Sequence, residues 1–89
     1  MNKYLKEILI EMCKRVNAKY EDIDFKKEQW FLEYEWTNEE EASFINWLVD
    51  YMKQNKEVRD TLMMFPRNNK RDLERFANSF IFNYGWKYK

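Results

Sequence analysis

Between Lys3 and Ala18 the apolar residues Leu5, Ile8, Leu9, Met12 and Val16 recur three and four positions apart. That spacing lines one face of a 3.6-residue helix. Lys6, Glu7, Glu11, Lys14 and Arg15 take the other side, with Cys13 beside the stripe. The pattern predicts a first helix over 3–18. Over 22–36 the period changes to two: Ile23 and Phe25 alternate with acids, and Trp30, Leu32, Tyr34 and Trp36 alternate with Phe31, Glu33 and Glu35. Alternation of this kind places Trp30 and Tyr34 on one strand face and Glu33 and Glu35 on the other. A β-hairpin is predicted, turning through Lys26–Gln29.

Thr37-Asn38-Glu39-Glu40 is a capping box, the threonine hydroxyl serving the amide of Glu40 and the Glu40 carboxylate returning to Thr37. It predicts a second helix to about Gln54, with Phe44, Ile45, Leu48, Val49 and Met52 as its stripe and Trp47 and Tyr51 widening it. So wide an arc implies contacts on two sides, or one core side and one binding side. A short third helix is predicted over 57–65 through Val58, Leu62 and Phe65, stopped by Pro66. Asn69 is placed to cap a fourth, with Asp72 at its third position and Leu73, Phe76, Ala77, Phe80 and Ile81 in helical register. Gly85 and Trp86 fit the turn that closes such a helix. The expected fold class is therefore α+β, mainly α: four helices with one β-hairpin between helix 1 and helix 2, in a single domain spanning 1–89.

Composition narrows the chemistry. The 89 residues include one cysteine, one glycine, one proline and no histidine. Without histidine there is no imidazole base and no Ser-His-Asp arrangement. One cysteine leaves almost no zinc ligands, and one glycine cannot build a phosphate-cradling loop. Cys13 as a nucleophile competes with its reading as a small buried hydrophobe, which free cysteines favour. Glu33 and Glu35 as an acid–base pair compete with an ordinary solvated strand face. The expectation is a non-enzymatic protein without cofactor or metal. A lone cysteine fits a reducing compartment. The charged first residues lack the apolar stretch of a signal peptide, and no apolar run nears the roughly 18 residues of a membrane span. Cytoplasmic placement without membrane contact is expected.

Charge is balanced globally and segregated locally. Residues 21–41 hold nine acids against two lysines, while 67–89 hold six bases against two acids. Two candidate surfaces follow. One is acidic and aromatic: Glu33, Glu35, Glu39, Glu40 and Glu41 with Trp30 and Tyr34. Its carboxylates would mimic a phosphate track and occupy a basic groove on a partner protein, with the aromatics as anchors. The other is basic: Arg67, Lys70, Arg71 and Arg75 around the start of helix 4, with Lys87, positioned for phosphates. Asp72 and Glu74 interrupt this second set, and the zero net charge weighs against nucleic-acid binding. With four tryptophans and six tyrosines, some aromatic surface is expected to remain exposed and to mark an interaction site.

From Trp36-Thr37 through Glu40, Phe44, Trp47, Tyr51, Asn55-Lys56, Arg59, Leu62-Met63 and Pro66 to Phe82-Asn83-Tyr84-Gly85-Trp86-Lys87, the sequence resembles a family of small bacterial and phage accessory proteins. Anti-CRISPR proteins are the best-known functional class among such proteins. The resemblance implies an inhibitor that binds a host defence nuclease, a protein or ribonucleoprotein such as an RNA-targeting CRISPR effector. It carries no site residues, and 1–35 take no part in it. Two alternatives stand beside it: a small nucleic-acid-binding or regulatory protein using helix 4, and a structural or oligomerising phage protein. A monomer or small homo-oligomer fits each.

Overall fold

The computed structural model describes residues 3–23 and 37–81. They form helix α1 (Lys3–Arg15), a 3₁₀ turn (Tyr20–Asp22), and helices α2 (Asn38–Gln54), α3 (Lys56–Leu62) and α4 (Lys70–Ile81).

The expected α+β class is corrected. Of the described residues 79% are helical and none lies in a strand, sheet or hairpin, so the chain is all-α there. Asp22, expected to open the first strand, closes the 3₁₀ turn instead: its amide donates to Lys19 O at 3.0 Å, and that of Ile23 donates to Tyr20 O at 3.2 Å. Residues three apart eclipse in such a turn, so Tyr20 and Ile23 both pack against the core. The remainder of the expected hairpin, 24–36, lies outside the described residues.

α1 stops three residues earlier than its stripe predicts. Asn17 adopts φ 55°, a left-handed conformation that asparagine tolerates better than most residues. The amides of Val16 and Ala18 then donate to Cys13 O at 3.2 and 2.9 Å. The bond from Ala18 is the six-residue closure of a Schellman ending. Val16 still buries its side chain beyond the helix.

α2 begins as its capping box requires. Glu40 N donates to Thr37 Oγ1 at 3.1 Å, and Thr37 N donates to Glu40 Oε1 at 3.0 Å. Replacing Thr37 with alanine is expected to cost about 1 kcal/mol, measured by urea unfolding, with serine restoring most of it. The helix ends at Asn55, extended at φ −126°. Arg59 reaches back from α3 and donates to Met52 O and Lys53 O, both at 2.7 Å. Its guanidinium thus adds a donor to Met52 O, which the Asn55 amide also reaches at 3.3 Å, and supplies one to Lys53 O. α4 starts on Asn69 as expected: Asp72 N donates to Asn69 Oδ1 at 3.0 Å, and Asn69 Nδ2 donates to Asp72 Oδ2 at 2.8 Å. The predicted closure by Gly85 and Trp86 lies outside the described residues.

α2 is the hub. It packs against α1, α3 and α4, which explains its wide apolar arc as contact on more than one side. Ile8, Leu9 and Met12 from α1, Phe44, Leu48, Val49 and Met52 from α2, Val58 from α3, and Leu73, Ala77, Phe80 and Ile81 from α4 make one buried cluster. Phe44 and Phe80 tie α2 to α4, with ring centroids 6.0 Å apart.

The α1–α2 seam combines aromatics with charge. Trp47 and Tyr51 stack at 4.9 Å, and the Tyr51 hydroxyl donates to Glu7 Oε2 at 2.6 Å. Burial, then that hydrogen bond and the carboxylate's charge, push the Tyr51 phenol up. Arg15 lies 5.9 Å from the Phe44 ring and 5.8 Å from that of Trp47. It also donates to Ser43 Oγ at 3.2 Å and to Glu11 Oε2 at 2.9 Å. A planar guanidinium can stack on rings and hydrogen-bond in its plane together. Burial alone would raise Glu11, but hydrogen bonds from Arg15 and Lys14 and their charges outweigh it and hold the carboxyl below its ordinary value.

Candidate interaction surface

Helix α3 ends at Leu62 although the apolar spacing continues to Phe65. Pro66 lacks the amide that would bond Leu62 O and disfavours the helical region for Phe65; Met63 is extended at φ −98°, ψ 132°. The consequence is a seven-residue connection, Met63 to Asn69, between two helices fixed on the core. Leu62 and Met63 pack against that core. Met64 and Phe65 do not: they are 87% and 72% exposed, the two exposed large hydrophobics among the described residues. The expectation that Phe65 continues a helical stripe is corrected. Its ring is released to the surface at the helix end.

Behind these side chains lies an open cleft of about 410 Å³, lined by Leu62, Phe65 and Phe76 on its apolar side and by Arg67 and Asp72 on its polar side. Phe76 continues inward to Phe80, 6.3 Å between ring centroids, which links the cleft to the core. A neighbouring polar cleft of about 440 Å³ separates α2 from α4, with Asp50, Lys53, Lys70 and Glu74 in its walls.

The basic candidates gather beside the loop. Arg67, Lys70, Arg71 and Arg75 are all exposed. Arg71 and Arg75, four apart, share a helical face, joined by exposed Ser79 a further turn on. The two acids that interrupt this set in sequence are engaged off that line. Asp72 is bound to the Asn69 cap, and Glu74 lies 3.7 Å from Lys70. Among the described residues no carboxylate forms an ion pair with Arg67, Arg71 or Arg75. Lys87 lies outside the described residues.

The acidic candidates are described only in part. Glu39, Glu40 and Glu41 occupy the first turn of α2, where carboxylates suit the helix dipole. Glu39 is exposed, whereas Glu40 and Glu41 are half-buried, and Glu40 is committed to the Thr37 cap. Glu33, Glu35, Trp30 and Tyr34 lie outside the described residues. What the structure brings together is therefore a surface that the acid-centred reading passes over: Met64, Phe65 and the cleft, with Arg67 in its wall. The signal for it was present in Phe65-Pro66, since a residue before proline leaves the helix.

The chain matches no protein-family model, and no similar characterised protein or solved structure is found.

Cys13 is buried in α1. Burial, then the charge of Glu21, push its thiol from 9.0 up to about 11. At neutral pH that leaves about a hundredfold less thiolate than in an ordinary thiol, and the thiolate is the reactive form. Alkylation of the folded chain by iodoacetamide at pH 7.5 is expected to be at least ~100-fold slower than in denaturant. Rapid native labelling would show that Cys13 is accessible. Among the described residues no set of three or more His, Cys, Asp or Glu side chains is placed to hold a metal ion, and no helix is long and apolar enough to cross a membrane.

Proposed function

We propose that this chain is a non-enzymatic binding inhibitor, phage- or prophage-derived, that blocks a host defence nuclease, a protein or ribonucleoprotein of the bacterial cytoplasm. The observation that carries the binding role is the exposed Met64–Phe65 pair on a short loop fixed at both ends by core helices. Exposed apolar side chains next to a cleft are an interaction feature. A large aromatic with few rotatable bonds on a short loop loses little freedom on binding. Arginine beside an aromatic is also the composition of binding hot spots. The nuclease target rests on the resemblance to phage accessory proteins of the anti-CRISPR type carried by residues 36–87. The acidic stretch 21–41, including Glu33, Glu35 and Glu39, supplies a field that steers approach to a basic partner.

Capture with the tagged chain from bacterial lysate, with and without RNase, tests this reading. The expected result is a nuclease recovered in stoichiometric amount and lost when Met64 and Phe65 are both replaced by serine. Both residues are exposed, so the variant should retain its helical signal. Failure to recover any nuclease, or recovery indifferent to the double replacement, overturns the proposed role of the loop.

A further inference from the structure

We infer that the chain pairs with a second copy of itself through the α3–α4 loop, each Phe65 entering the other copy's cleft and each Arg67 meeting the other's Asp72. Exposed Met64 and Phe65 form a knob. The open cleft of about 410 Å³ beside them is a hole, with Leu62 and Phe76 on its apolar side. A volume of that order takes an aromatic ring. The polar wall carries one cation and one anion, Arg67 and Asp72, and that mixture decides the occupant. A polyanion meets Asp72 and a polycation meets Arg67, so a partner of one charge sign always faces a like charge. The fitting partner brings an apolar knob and both signs, and a second copy brings all three. A two-fold interface uses the same patch on both chains, so every contact is made twice. Arg67 is exposed and forms no ion pair among the described residues. Asp72 accepts from Asn69 through Oδ2, which leaves acceptor capacity on its other oxygen. Zero net charge removes the repulsion that keeps like chains apart. The inference does not rest on a nuclease target. Its dimer buries the pair given above to the nuclease, so the two complexes exclude each other and the monomer is the form that binds.

The test is sedimentation equilibrium of the full chain from about 1 to 500 μM, which brackets the dissociation constant on the order of 10–100 μM expected of a patch at the small end of specific interfaces. The mass should rise from the 11.3 kDa of one chain toward twice that value and stop there, because a two-fold contact closes on itself. Replacing Met64 and Phe65 with serine should abolish the rise. Arg67→Asp and Asp72→Arg should each weaken pairing at least ~tenfold, since like charges then meet twice. Mixed in equal amounts, these two variants should pair again at about the parent's strength, one bringing two acids to the contact and the other two arginines. That recovery separates a lost contact from a folding defect in either variant. Lys14→Ser, on exposed α1 surface, should pair as the parent does. A chain monomeric throughout, a mass that grows past two chains, or serine replacements without effect would overturn the inference. So would a mixture that pairs no better than its components, or equal weakening by Lys14→Ser. A monomeric chain that still loses its nuclease when Met64 and Phe65 are replaced would overturn the dimer and leave the inhibitor standing, with the patch serving an unlike protein.

Discussion

Phe44→Ala is expected to lower the unfolding free energy by about 3–5 kcal/mol, the usual cost of deleting a buried aromatic ring and leaving its cavity. Phe44 is fully buried. Its ring lies 6.2 Å from that of Trp47 and 6.0 Å from that of Phe80, with the Arg15 guanidinium 5.9 Å from its centroid. It therefore joins α1, α2 and α4 at one point. A chain of this length has a total stability of about 4–13 kcal/mol, at roughly 0.05–0.15 kcal/mol per residue, so this one change removes a large part of it. Urea unfolding measures the loss. Phe44→Leu, which refills much of the volume, should recover over half. A loss below about 1 kcal/mol would mean that the ring is not at the junction described, because deletions that small belong to surface or readily collapsing sites.

Leu73→Ala is expected to cost about 2–5 kcal/mol, and its effect should be uneven along the chain. Leu73 is fully buried on the inner face of α4, one helical step from the capped start at Asn69 and Asp72. Its loss loosens the end of α4 that carries Lys70 and Arg71 and anchors the loop holding Arg67. Amide hydrogen exchange should therefore rise most in the first two turns of α4 and in the 63–69 loop, and less in α1. A uniform rise would indicate that α4 opens only with the whole fold. Such a result would remove the view of the loop as a locally supported platform.

Most helical features were legible in the sequence, and the exceptions have physical causes. Capping boxes are local: Thr37 with Glu40 and Asn69 with Asp72 each satisfy backbone groups within four residues, so pattern alone locates them. The stripes of α1, α2 and α4 repeat over at least three turns and match the buried cluster. Ends were harder to read. Asn17 terminates α1 through one left-handed residue, a role that periodicity does not express because Val16 remains buried beyond it. Phe65 sat in register with Val58 and Leu62, and the conformational demand of Pro66 overrode the spacing. At the start of the expected hairpin, Ile23 reads as the first step of a period of two, whereas Tyr20 and Ile23 follow the period three of a 3₁₀ turn.

The candidate site was less legible than the fold. Net charge along the chain pointed to the acids of 21–41, yet sequence does not show which carboxylates are spent on capping, as Glu40 is. Nor does a charge count separate Asp72 and Glu74 from the arginines around them. On α4 each acid is three positions from an arginine, Asp72 from Arg75 and Glu74 from Arg71, and so beside it on the helix surface. The exposure of Met64 and Phe65 depends on where α3 stops, and a one-turn error in that boundary hides it.

The measurement that bears most directly on the account is a titration of the captured nuclease, at fixed concentration, with increasing amounts of this chain, following cleavage of its substrate. A binding inhibitor predicts activity falling linearly to a break at one chain per nuclease, immediately on mixing, with the break lost in the Met64→Ser/Phe65→Ser chain. Inactivation that continues with time at far fewer than one chain per nuclease would show turnover, and would contradict a protein that acts by occupying a surface.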